Sequence, residues 1–305
     1  MLRFPPFSRV CFVGDSITAA GAYTEFIAQF YAGYLRSSGV RFYVGAVPGG
    51  TTASQNKFFE DDILIYNPDH VVVMLGTNDC DRGQLAKPRD DKSRYTILYD
   101  CYENYKANLN RLLDRLEMNG ISVTLCSPPP YAEYQDLGDS NLPGALALTT
   151  AYAEYCRSVA AARGIEFCDV HSALVKAMQY KTLFGPDRLH PNIDGHHEIA
   201  RIILENMGFT NYEPLPLNEE FKEREAVRSK LSGIYAVELM ILRLERYELP
   251  LEQKLAFVEN YLKENRYPDN YFKNIATNYL INKPKQKELY AEYISLTDKV
   301  TGHCF

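Results

Sequence analysis

The chain has 305 residues, 46% of them hydrophobic and 24% charged, enough for a sizeable buried core in one or two domains. A formal net charge of −6 argues against non-specific attraction to nucleic acid or to anionic membranes. No run approaches the roughly 20 apolar residues that a membrane span requires, and seven scattered cysteines with no Cys-x-x-Cys pair suit a reducing compartment.

Met1 to Phe7 lacks the apolar stretch of a signal peptide. A strand follows so soon that a cleaved leader would remove working structure, so a cytoplasmic location is expected. Short apolar runs then alternate with helical patterns, which predicts α/β units and a parallel sheet. Strands are predicted at Val10–Val13, Arg41–Val44, His70–Leu75, Ser122–Cys126 and Glu166–Cys168. His70–Leu75 is apolar on both faces after its first residue, the pattern of a central strand covered on either side. Helices are predicted at Tyr23–Ser37, Gln55–Ile65, Arg94–Asn119 and Gly144–Arg163. A further helix is predicted at Gly195–Met207, capped by Asp194 and stopped at Gly208.

The character changes near Asn211–Pro216, and from Glu219 onward the pattern is helical only. Ile234, Val237, Ile241 and Leu244 recur at helical spacing, as do Leu251, Leu255, Val258 and Leu262, and then Leu289, Tyr293, Leu296 and Val300. Pro250, Pro268 and Pro284 stand where helices begin or separate. Two units are therefore predicted, residues 1–212 and a helical subdomain over 213–305. The tail is the expected surface for self-association or a protein partner.

Four short segments carry chemistry: Gly14-Asp15-Ser16, Pro48-Gly49-Gly50, Gly76-Thr77-Asn78-Asp79 and Asp187-Arg188-Leu189-His190. Each follows a predicted strand or the last crossover, so all can meet beyond the carboxyl ends of the strands, where such sheets bind ligands. A serine hydroxyl is a poor nucleophile until a base takes its proton. Pro186 and Pro191 disfavour a helix around Asp187 and His190. A turn there could fold the carboxylate onto one imidazole nitrogen and leave the other for Ser16. Asp169 and His171 form the competing pair. Adjacent His196 and His197 point about 100° apart on a helix, which does not suit a shared metal. Cys80, beside Asp79, is the one cysteine placed for reactivity. Cys80 to Ser93 and the proline-rich loop from Ser127 to Leu142 both follow strands and are expected to overhang a pocket.

These blocks resemble those of the SGNH (GDSL-type) hydrolase superfamily over about residues 9 to 208. The second block departs from the family pattern, with Val44 and Ala46 where the family has Asn and Gly. The resemblance implies a three-layer α/β/α sandwich around a central, mainly parallel five-stranded sheet, here with a C-terminal all-helical extension. It implies a serine esterase with Ser16 as nucleophile, His190 as base and Asp187 as its orienting carboxylate. The oxyanion donors would be the N–H groups of Ser16 and Gly49 and the Asn78 side chain, and no metal or organic cofactor is implied. The expected substrate is a small-molecule or glycan ester; an O-acyltransferase using the same residues, or a non-catalytic adaptor acting through the tail, are the alternatives. Fold and motif do not choose among acetylated sugars, short-chain esters and lysophospholipids.

Overall fold

A computed structural model describes residues 3–88, 90–138, 141–210, 219–243, 249–264 and 269–301. The predicted boundary at 212/213 lies outside these residues, as do Leu244 and Pro268.

Five strands form one parallel sheet: β1 (Arg9–Gly14), β2 (Arg41–Ala46), β3 (His70–Met74), β4 (Ser122–Cys126) and β5 (Glu166–Cys168), in the order β2-β1-β3-β4-β5. β3 is buried along its whole length, in keeping with its continuous apolar run. Side chains alternate between two cores, as the period of two requires. Cys11, Val13, Val71, Val73 and Leu125 face the helices Asp91–Met118 and Ala145–Arg163. Val10, Phe12, Val72, Met74 and Cys126 face the helices Ala22–Tyr34 and Ile193–Asn206. The result is a three-layer α/β/α sandwich.

Two local expectations need correction. The last helix of the sandwich starts at Ile193, and its cap is Asn192, whose side chain accepts from the N–H of Gly195 at 2.9 Å; Asp194 lies in the first turn. The helix expected at Gln55–Ile65 is instead Thr52–Lys57, Phe59–Asp62 and a 3-10 turn at Leu64–Tyr66. The carbonyl of Asp61 accepts from the Tyr235 and Tyr290 hydroxyls at 3.1 and 2.9 Å, so the tail holds it where a continuous helix would use it internally.

The tail comprises the helices Glu219–Arg243, Leu251–Glu264, Asp269–Asn282 and Gln286–Thr301. Ile234, Val237, Ile241, Val258, Leu262, Leu289, Tyr293 and Val300 are buried as their spacing predicts, whereas Leu251 is exposed. Most of these residues continue the same apolar cluster as one face of the sheet. Tyr293 packs edge-on against Tyr43 of β2 and against Tyr66, and Asp298 pairs with Arg41 at 2.7 Å. The last helix thus covers β2, an edge strand whose unpaired side would otherwise be open. Among the described residues, no helix is long and apolar enough to cross a membrane.

Candidate active site

β1 ends at Gly14, and the chain turns at once into a one-turn helix, Ser16–Ala19. Asp15 caps it, its Oδ1 accepting from the N–H of Ile17 at 2.9 Å, and the turn carries Ser16 as its first residue. The first N–H groups of a helix have no internal acceptor, so the Ser16 N–H is left for other partners.

Asp187, Arg188, Leu189 and His190 form a tight loop. The Gly185 N–H donates to the carbonyl of His190 at 2.8 Å, and the Arg188 N–H to that of Gly185 at 2.9 Å. Arg188 holds φ at 62°, a left-handed conformation that costs a side-chain-bearing residue on the order of 1–3 kcal/mol. Its buried guanidinium donates to the carbonyls of Ala132, Gln135 and Gly138, which fastens the loop to the proline-rich segment. The strain is therefore held by tertiary contacts. Asp187 Oδ1 accepts from the N–H groups of Leu189 and His190 at 3.1 and 3.0 Å, while Oδ2 meets His190 Nδ1 at 2.5 Å. The opposite nitrogen, Nε2, lies 2.8 Å from Ser16 Oγ. Ser16, His190 and Asp187 thus form one continuous hydrogen-bonded line. Burial alone would raise the Asp187 carboxyl, but the bonds from the His190 ring and from the two backbone N–H groups outweigh it. They hold the group well below the usual carboxylate range.

The remaining two segments flank this line. Val47-Pro48-Gly49-Gly50 is a β-turn closed by the Gly50 N–H on the Val47 carbonyl at 2.7 Å. Pro48 takes the position whose φ proline presets, and Gly49 follows with φ of 76°, which a glycine adopts without strain. The Val47 N–H reaches the carbonyl of Gly14 at 3.2 Å, joining this turn to the end of β1. Asn78 Nδ2 donates to the carbonyl of Gly50 at 3.1 Å, and its Oδ1 accepts from Arg82 Nη2 at 3.0 Å. Arg82 therefore fixes which way the amide faces. Asp79 accepts from the N–H and hydroxyl of Thr52, tying the Asn78 loop to the helix that follows Gly50.

The sequence and the fold match known proteins. A model of the GDSL-like lipase/acylhydrolase family fits residues 12–198. The chain belongs to that family. It is an SGNH-type ester hydrolase. An acetylxylan esterase of Geobacillus stearothermophilus is 23% identical over 218 residues, 66% of this chain and 94% of its own. A crystal structure of a catalytic mutant of such an enzyme from the same organism superposes with a TM-score of 0.56 at 20% identity, covering 70% of this chain and all of that one. Its catalytic mutants replace a serine, an aspartate and a histidine with alanine. A gut microbial diltiazem-metabolizing enzyme superposes with a TM-score of 0.70 at 17% identity over 99% of this chain and 97% of its own. That likeness in fold spans the helical tail as well as the sandwich.

Two further carboxylates of this GDSL hydrolase lie in the motif loops, Asp15 beside Ser16 and Asp79 beside Asn78. Burial pushes Asp15 up to about 6 and Asp79 up to about 7, against the hydrogen bonds each accepts, from Ile17 and from Thr52 respectively. Asp169 and His171 are engaged elsewhere. Asp169 caps the Val170–Ala177 helix through the Ser172 N–H and pairs with Arg157, and His171 is buried with Nε2 3.3 Å from Thr150 Oγ1. Cys80 is buried rather than presented to solvent, and burial pushes its thiol far up, so it is not a reactive cysteine. His196 and His197 stack separately against Tyr23 and Phe26.

A cleft of about 1190 Å³ opens beside the motif loops. Asn78, Asp187 and Leu189 line it from those loops, Tyr131 and Leu142 from the proline-rich loop, and Tyr261 from the tail helix Leu251–Glu264. Both overhanging segments reach it as their positions after strands predict. Arg82, Arg188 and Tyr261 escape sequence reasoning. Arg82 stands one helical turn beyond Asn78, which offers a faint signal, but nothing in the sequence places a residue 183 positions beyond Asn78 in the same cleft as Tyr261 is here.

Proposed function

We propose that this GDSL hydrolase removes short acyl groups, acetyl foremost, from carbohydrate hydroxyls by way of an acyl-serine intermediate. The observation that carries this reading is the unbroken line from Ser16 Oγ through both nitrogens of His190 to Asp187. His190 takes the serine proton as Oγ attacks the ester carbonyl, then gives it to the departing sugar oxygen, which leaves as the free hydroxyl. Asp187 keeps the imidazole in the required tautomer and steadies its positive form. The N–H groups of Ser16 and Gly49 and the Asn78 amide receive the oxyanion, whose charge develops where donors already stand. Water deprotonated by His190 then frees the acid.

The cleft supports the substrate side. An acetyl group needs only a small fraction of about 1190 Å³, so most of the space serves the alcohol. Gln84, Asn104 and Asn108 offer amides and Tyr131 and Tyr261 offer flat rings along its walls, a lining suited to the hydroxyls and apolar faces of sugars. The acetylxylan esterase relative points the same way.

The test combines Ser16→Ala with a substrate panel. The variant is expected to lose on the order of 10⁶ in kcat and all fluorophosphonate labelling, with circular dichroism unchanged. A folded Ser16→Ala protein that keeps most of its turnover would overturn the nucleophile. Acetylated xylo-oligosaccharides are expected to be cleaved faster than simple esters of long acyl chains; the reverse order would overturn the carbohydrate reading.

A further inference from the structure

The helix that carries Ser16 is a single turn of four residues, and one turn fixes more dihedrals than its hydrogen bonds repay. Its beginning is secured by Asp15. Its end is secured from 209 residues away, by Arg228 in the tail helix Glu219–Arg243. Arg228 Nη1 donates to the carbonyl of Ala19, and Nη2 donates to that of Ala20 at 3.2 Å. The Ala20 N–H in turn donates to the carbonyl of Ser16 at 2.8 Å, so the guanidinium holds the residue that closes the nucleophile turn.

The contact is built on both sides. Arg228 is buried, and its Nε donates to both oxygens of Glu225 at 2.8 Å, which fixes the plane of the guanidinium. One turn earlier Arg224, also buried, pairs with Glu25 in the first turn of the Ala22–Tyr34 helix and donates to the carbonyl of Phe42 at 3.1 Å. Between the nucleophile turn and that helix stands Gly21, with φ of 83°. A Cβ there would lie 2.7 Å from Glu225 Oε2 and 2.8 Å from Arg228 Cζ, so glycine leaves the room the tail's cation occupies. Burying guanidinium groups is costly even when they are paired, and a buried ion pair is weak evidence for stability as such. Here the paired cations converge on the hinge that aims Ser16.

We propose that Arg228 is a positioning residue for the nucleophile, and that the helical tail thereby sets the orientation of Ser16. The inference rests on Ser16 being the nucleophile. Releasing the Ala19 and Ala20 carbonyls lets the turn drift relative to His190, and a misplacement of about 1 Å costs on the order of 10²-fold in rate.

The experiment compares Arg228→Met and Arg228→Lys with wild type by the rate of fluorophosphonate labelling at Ser16 and by kcat and KM on a small activated ester. Concentrations are normalised to folded protein. Arg228→Met is expected to lose roughly 10²-fold in labelling rate and kcat with KM little changed. Arg228→Lys regains part of the rate, because an ammonium can reach one carbonyl but cannot span two. A folded Arg228→Met protein that labels at the wild-type rate overturns the inference, as does a loss confined to KM. If Arg228→Met does not fold, Arg228→Lys and Glu225→Gln carry the test, and wild-type labelling rates in both overturn it. Failure of wild-type Ser16 to label at all would instead remove the esterase reading beneath it.

Discussion

Asp187 uses its two oxygens for different tasks. Oδ1 gathers the N–H groups of Leu189 and His190 and so shapes the loop, while Oδ2 faces the imidazole. An amide in its place keeps part of the first task and spoils the second, because an Asn nitrogen turned toward Nδ1 favours the wrong tautomer. Asp187→Asn is therefore expected to cost on the order of 10⁴ in kcat, as loss of this carboxylate does in serine triads generally. Asp169→Asn keeps an oxygen for the helix cap but loses the charge that pairs with Arg157, and is expected to lower stability by at most about 1 kcal/mol with kcat nearly unchanged. Parallel kinetics and urea melts decide it; a larger kcat loss for Asp169→Asn would mean that the wrong carboxylate has been chosen. Ser16, Asp187 and His190 are legible in the sequence because short local geometry suffices to present each of them. Arg228 is not. Glu225 and Arg228 are spaced like an exposed helical ion pair, and only the packed structure turns that pair inward.

At the scale of elements, the parallel strands were legible because burial on both faces demands continuous apolar runs. The path from Thr51 to Tyr66 was not, since its breaks answer to tyrosines more than 160 residues later. The start of β3 carries a testable pH effect. His70 is buried with Nε2 2.8 Å from Thr124 Oγ1, and burial pushes it down to about 4 from an ordinary 6.5. Between those values the unfolded chain binds the proton and the folded chain does not. The stability involved is thus full above about 6.5 and is lost as the pH falls toward 4. Asp15 and Asp79, raised by burial, act in the opposite sense over much of the same range. Comparison with His70→Gln isolates the histidine. Between pH 7 and pH 5 the wild type is expected to lose on the order of 2 kcal/mol more than the variant does. Equal losses in urea melts at the two pH values would show that folding leaves the proton equilibrium of His70 unchanged.

At the scale of the molecule, sheet and tail share the larger of the two apolar cores. Val227, Leu231, Ile234 and Tyr293 belong with Tyr43, Val71 and Leu125 in a single cluster. Amphipathic stripes told from the sequence that the tail must pack on something; they did not tell that its partners are an edge strand and the turn that follows Ser16. A chain ended at residue 210 is expected to lose Ser16 labelling and to self-associate, as judged by labelling and by light scattering, because it uncovers both β2 and the Ala19 and Ala20 carbonyls. A monomeric truncation labelling at the full rate would show the sandwich to be self-sufficient.

The cover over β2 has a consequence in time. The strand is made about 250 residues before Tyr293 and Asp298, which shield and pin it. At about 5–20 residues per second, some 250 residues of translation leave that edge unguarded for roughly 10–50 s. The nascent chain therefore passes through a stage with a pairing-competent strand on display, a window in which a chaperone, or a neighbouring nascent chain, can reach it before the Gln286–Thr301 helix does.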